Sequence, residues 1–172
     1  MSTTEDKLAL IWAEVRRLVG HFNLDADPSV KGPLGLTATQ ARTMAAYGRL
    51  VWIAGGVMRA TARADRGIAE KKFERQQRQD SLLAHVVEYN DLREVRTQPG
   101  RLKARIAVRL EDMDQRIASL EAAAIELHAL QKYLDMNIRL AESTKAILRQ
   151  QVDVLIQHRA TKGAGEFEEE IQ

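Results

Sequence analysis

Apolar residues recur along most of this chain at intervals of three and four, the spacing that puts side chains on one face of an α-helix. The first run is Leu8, Ile11, Trp12, Val15, Leu18, Val19 and Phe22, which predicts a helix over 4–22. Ser2-Thr3-Thr4 offers capping hydroxyls, and Glu5 and Asp6 suit the positive end of the helix dipole. The pattern lapses over 23–36, where Pro28, Gly32, Pro33 and Gly35 interrupt it. Leu24, Val30, Leu34 and Leu36 lie in the same stretch, so residues 1–36 read as a helix followed by a packed loop.

The pattern resumes at Thr37, where Thr37 and Gln40 have the spacing of a capping box. Proline is absent from there to Pro99, so residues 37–96 read as one long helix, or as two that meet near Gly67. Small residues stand seven apart at Ala41, Gly48, Gly55, Ala62 and Ala69, with Met44, Val51 and Met58 between them. Such a stripe lets a neighbouring helix come close. Close packing or a kink would offset Gly55-Gly56, each costing about 1 kcal/mol against alanine in a helix interior. From Arg63 to Asp80, ten of eighteen residues are charged, which leaves either a solvated helix or a narrow seam. Leu82, Leu83, Val86, Val87 and Tyr89 restore the apolar spacing. Thr97-Gln98-Pro99-Gly100 then reads as a turn, because proline disfavours helical geometry before it and glycine permits a positive φ. A short turn between long helices makes residues 37–160 an antiparallel helical hairpin with its turn at 97–100.

The second arm carries the strongest signal. With Ile106 at heptad position d, the d series is Ile106, Met113, Leu120, Leu127, Leu134, Ala141, Leu148 and Leu155. The a series is Leu110, Ile117, Ala124, Gln131, Ile138, Lys145 and Val152. Only Gln131 and Lys145 break the apolar rule. A seven-residue repeat held this long implies left-handed supercoiling against a partner helix. Polar residues at a can specify register or oligomer number, or, like a lysine at a seam edge, reach out to water. The later heptads add Leu130 at g and Tyr133, Leu140, Ile147 and Val154 at c, whereas the earlier c positions are Arg105, Asp112, Ser119 and Glu126. The arm therefore begins with a narrow apolar face and ends with a wide one, and a wide face must meet more than one helix. The fold class expected is all-α: a short N-terminal helix and a long coiled-coil-like hairpin that assembles into an oligomer.

Composition narrows the chemistry. The 172 residues include no cysteine, which removes disulfides, thiol catalysis and cysteine-held metals. The longest strongly apolar stretch, Leu50–Met58, is too short to cross a bilayer and lies between Arg49 and Arg59. With no signal peptide visible, the expected location is the cytoplasm, or a virion if the chain is phage-derived, with no membrane partner. His21, His85, His128 and His158 share no metal-ligand spacing, and the acids of Asp25-Ala26-Asp27 lack the other calcium ligands. Phosphate-binding glycine motifs and a paired acid/base are absent, so neither a cofactor nor an enzymatic activity is expected.

Net charge is only +2, but it is unevenly placed. Arg93, Arg96, Arg101, Lys103, Arg105 and Arg109 flank the turn with Glu94 as the one acid between Arg93 and Arg109. A hairpin would bring these cations to one tip, either simply solvated or set against the phosphates of double-stranded nucleic acid. No aromatic residue is interleaved for base stacking. Residues 161–172 form an acidic tail in which Lys162, Gly163 and Gly165 precede Glu166, Phe167, Glu168, Glu169, Glu170 and Ile171. The glycines would end the long helix. Phe167 and Ile171 could dock the tail on a basic protein partner, against the default of a free terminus.

These features favour a non-enzymatic assembly or adaptor protein that acts through self-association and helix–helix contacts. In layout the chain also resembles phage small terminase subunits, which pair a small N-terminal helical region with a long central hairpin, form rings and contact the packaging machinery through their tails. That resemblance implies a DNA-packaging assembly factor that uses the basic tip. It rests on layout and on no specific motif, and the single helix before the 23–36 loop is not a helix-turn-helix.

Overall fold

The structure, a computed structural model, describes residues 4–22 and 32–169, with side chains described over 6–22 and 35–157. Every regular element among them is helical: α1 (Thr4–Val19), a 3-10 turn (Gly20–Phe22), α2 (Gly32–Ala84), a second 3-10 turn (Val86–Glu88), α3 (Asn90–Arg93) and α4 (Pro99–Glu169). The chain divides into two compact units, one of residues 1–56 and 130–172 and one of residues 57–129, with α2 and α4 contributing to both.

In the first unit, three helices share a core. Val15, Leu18 and Phe22 come from the N-terminal helix and its 3-10 turn, Leu50 and Ile53 from α2, and Leu130, Leu134, Ala141 and Leu148 from α4. Helix α1 runs antiparallel to α2, since Arg49 bonds Glu14 while Thr43 reaches the His21 carbonyl. It runs alongside α4 in the same direction: the rings of Trp12 and Tyr133 lie 5.2 Å apart, and Thr144 Oγ1 donates to the Phe22 carbonyl at 3.4 Å. The carbonyls at the end of a helix have no partner within it. Here buried threonines from two different helices serve two of them.

In the second unit, α2 and α4 pair antiparallel with one seam. Val57, Thr61 and Leu82 of α2 face Ile106, Leu110, Ile117 and Ala124 of α4. The charged stretch of α2 is a narrow seam: Ala64, Ile68, Arg75 and Gln79 are half-buried while Phe73 is exposed. Polar links cross the pair along its length. Arg75 forms a two-pronged pair with Asp114 at 2.6 and 3.3 Å, Lys72 meets Glu121 at 2.7 Å, and His128 meets Asp65 at 3.2 Å.

Several boundaries differ from the pattern's expectation. Helix α2 begins at Gly32, not Thr37, because Pro33 in a first turn lacks only an N–H that would have no helical partner anyway. Thr37 is therefore inside the helix and no capping box forms; two residues on, Thr39 bonds back one turn to the Gly35 carbonyl. Helix α2 also continues unbroken through Gly55, Gly56 and Gly67.

The connection is longer than the expected four-residue turn and spans 85–98. Weak helix formers (Val86, Val87, Asn90, Asp91) follow Ala84, the chain tightens to 3-10 geometry, and Tyr89 is extended at φ −103° and ψ 114°. This places Leu92 in a closed cluster with Leu82, Ile106 and Leu110, flanked by Val86, Tyr89, Leu102 and Met113. Pro99 and Gly100 open α4 instead of forming a turn, and Gly100 has no left-handed φ. At its far end α4 passes Gly163 and Gly165 to reach Glu169, beyond the expected stop at 160. The flanking Ala, Lys and Glu are strong helix formers and offset the glycine cost.

Candidate functional site

The heptad seam of α4, which continues from one unit into the other, fixes what faces outward. All fifteen a and d positions of α4 are buried or half-buried, including Leu120, Leu127, Ile138, Val152 and Leu155. Gln131 is half-buried. Lys145 is half-buried at the seam edge: its ammonium sits over the Tyr47 ring, 4.5 Å from the centroid, and the Tyr47 hydroxyl donates to Glu142 at 3.1 Å. That contact ties one residue of α4 to one of α2, which suits a register mark.

The second packing face of α4 differs from the one expected. The stripe that becomes buried in the first unit is g, at Leu130, Asn137 and Thr144, and two of these three are polar. Asn137 is satisfied locally by the Tyr133 carbonyl at 2.7 Å and Thr144 by that of Phe22. Of the expected c stripe, only Tyr133 is covered, by Trp12. Leu140, Ile147 and Val154 remain 47%, 45% and 53% exposed. Apolarity marked only Leu130 of the g stripe, which is buried as expected, and passed over Asn137 and Thr144 at the same seven-residue spacing. The small-residue stripe of α2 likewise faces outward. A Cβ at Gly48 would meet nothing within 4 Å, and Met44 and Val51 beside it are exposed. The inward face is Thr43, Ala46, Leu50 and Ile53.

A further surface is the basic end of the second unit. Arg93, Arg96, Arg101, Lys103 and Arg105 are exposed, and no carboxylate pairs with the first four among the described residues. Arg109 has a different task from the phosphate contact expected of it. It grips Asp91 with two bonds, at 2.6 and 3.2 Å, and lies over the Tyr89 ring at 4.7 Å. This locks the connection onto α4. The Arg109 hydrogen bond, and then its charge with that of Arg105, holds the Asp91 carboxyl below its usual range despite some desolvation.

Beside these cations lies a groove of about 510 Å³. Leu83, Leu102, Ile106 and Leu110 form its apolar floor, Pro99 and Ala107 its walls, and Arg75, Gln79 and Lys103 its polar rim. Leu83 was read from sequence only as part of the resumed apolar spacing of α2, and Leu102 was not singled out because it precedes the heptad run that starts at Ile106.

Among the described residues no group of three His, Asp or Glu side chains converges as a metal site, and no helix is long and apolar enough to cross a membrane. The Asp25–Asp27 segment and Ile171 lie outside the described residues, as do the side chains of Phe167 and His158. No protein-family model, curated protein or solved structure matches the chain.

Proposed function

We propose that this chain is a non-enzymatic assembly protein that self-associates through helix faces its own fold leaves uncovered. The observation that carries this reading is the exposed Leu140, Ile147 and Val154 stripe, repeated every seven residues on a helix whose a, d and g stripes are already occupied. A strict seven-residue apolar stripe is what another supercoiled helix covers. Its size sets the strength expected. Fully covering a Leu, Ile or Val contributes about 1.5–3 kcal/mol, and these are already half covered, so two copies would gain on the order of 5 kcal/mol. Association costs roughly 4–15 kcal/mol. One such contact is weak, and a stable assembly repeats it or adds a second interface. Sedimentation equilibrium checks this: an assembly built on repeated contacts should exceed monomer mass at about 100 µM, which asks for a net association energy of about 5.5 kcal/mol. Leu140→Glu with Ile147→Glu should return it to monomer with unchanged helicity. A native chain that is monomeric there would sink the reading.

A second reading is supported by the four exposed, unpartnered cations at the basic end: contact with the phosphates of double-stranded nucleic acid, as the layout resemblance to small terminase subunits also suggests. Arg96→Glu with Arg101→Glu should then abolish salt-sensitive DNA binding and leave oligomer mass unchanged. Equal binding by that variant rules the tip out.

A further inference from the structure

The groove of the second unit combines two chemistries that a phosphate backbone does not need together. Its floor is aliphatic, with Leu83 47% exposed, and its rim carries Lys103, which has no carboxylate partner among the described residues. The free volume, about 510 Å³, is within the range of ligand sites, roughly 300–1,000 Å³. An occupant should bring apolar side chains for the floor and carboxylates for the rim.

The chain contains one segment with that composition. Residues 166–171 read Glu-Phe-Glu-Glu-Glu-Ile, four carboxylates around two apolar side chains. Phe167 and Ile171 are four apart, the spacing that puts two residues on one face of a helical turn. We propose that the groove receives this acidic C-terminal segment from a second copy of the chain. A second copy is required because Pro99, in the groove wall, opens the same unbroken helix that runs to Glu169, and a helix cannot fold back onto its own first turns. The proposal rests on the self-association reading and adds a different interface to it. Each copy offers one segment and one groove, so the exchange either is reciprocal and closes as a two-fold dimer or passes on to a third copy and builds a ring or filament.

Charge reversal in the full-length protein tests it. Lys103→Glu with Ala107→Glu makes the groove acidic, and Glu168→Lys, Glu169→Lys and Glu170→Lys make the segment basic. Each set alone should weaken self-association about tenfold in sedimentation equilibrium, and a chain carrying both sets should recover most of the loss. Recovery is the decisive arm, since a merely misfolded groove would not be rescued by a change in the tail. A photo-reactive benzoylphenylalanine in place of Phe167 should cross-link to the Leu102–Leu110 stretch of another copy. If either set leaves association unchanged, if the combined variant is no better than the worse single set, or if the cross-link maps elsewhere, the proposal is overturned. It is likewise overturned if the groove variant loses only affinity for a short DNA duplex, because the cations then serve phosphates. The two ideas fail separately. Association that responds to Leu140→Glu with Ile147→Glu but not to charge reversal removes the groove contact alone, whereas a native monomer removes both.

Discussion

The two units cover the same long helix by different means. In the unit of residues 57–129, α4 meets one long helix and, near its start, the short connection, and buries one seam. Its outward c positions are the exposed Arg105, Asp112, Ser119 and Glu126, and ion pairs from Lys72 and Arg75 lace the edges. In the unit of residues 1–56 and 130–172, α4 meets two helices, and a second stripe turns inward. That stripe carries Asn137 and Thr144, both buried and both hydrogen-bonded. The lesson is that a third helix changes what polar side chains are for. Against one partner they pair at the rim, where exposed ion pairs contribute about 0–1 kcal/mol. Between two partners they must satisfy backbone groups, and leaving one of those unsatisfied is costly.

The sharpest way to break this comparison is to open each core separately. Leu134 and Leu110 are both buried, 0% and 1% exposed, one in each unit. Leu134→Ala and Leu110→Ala should each destabilise by about 2–5 kcal/mol in urea titration. Hydrogen exchange should localise the damage, with faster exchange over 36–53 and 130–148 for the first and over 82–117 for the second. If both variants raise exchange equally across both sets of amides, the units are one cooperative body and the contrast is empty.

A smaller effect separates two buried threonines. Thr144 donates to the Phe22 carbonyl, on the last residue of a 3-10 turn. Thr61 donates to the Val57 carbonyl, which already lies inside α2. Thr144→Val should therefore cost about 1 kcal/mol, at the low end for an orphaned buried acceptor because the bond is long. Thr61→Val should be neutral within about 0.5 kcal/mol. Equal costs in denaturant titration would show that Thr144 is only filling space.

How much of this was legible in the sequence follows from the same physics. The heptad run was legible because burial between two helices leaves a period of seven in apolarity, and Leu110, Leu134 and Leu148 sit where that period puts them. The polar part of the g stripe was not, because Asn137 and Thr144 look like surface residues until a third helix covers them; Thr144 then finds the Phe22 carbonyl, while Asn137 bonds the Tyr133 carbonyl of its own helix. The connection was misplaced for a related reason. Pro99 and Gly100 were read as turn residues, yet the first turn of a helix tolerates proline, and what bends the chain is the weak helix propensity of Val86, Val87, Asn90 and Asp91 together with the pull of Leu92 into the core. All six cations of the candidate basic site are exposed, but the pairing of Arg109 was not legible, because its partners Asp91 and Tyr89 are near it only once the connection has folded.

The smallest effect expected concerns acid. Asp91 and Asp114 in the second unit and Glu14 in the first all have carboxyls held below their usual range, in each case chiefly by an arginine hydrogen bond (Arg109, Arg75 and Arg49) that outweighs desolvation. A carboxyl whose folded pKa is depressed binds its proton more readily when unfolded. Its contribution is therefore complete above the ordinary carboxylate value, about 4, and is lost as the pH falls through the lowered folded value. All three pairs are solvent-exposed enough for water and salt to screen them, so the loss should be modest and should shrink in about 1 M salt. The ion-paired unit carries two of the three groups and should carry more of the acid sensitivity. Asp91→Asn with Asp114→Asn should flatten the fall in urea midpoint below about pH 4, and Glu14→Gln should flatten it less. If Glu14→Gln flattens it as much, the rim pairs of the two-helix unit have no special share in its stability, and its single seam holds it as the three-helix core holds the other.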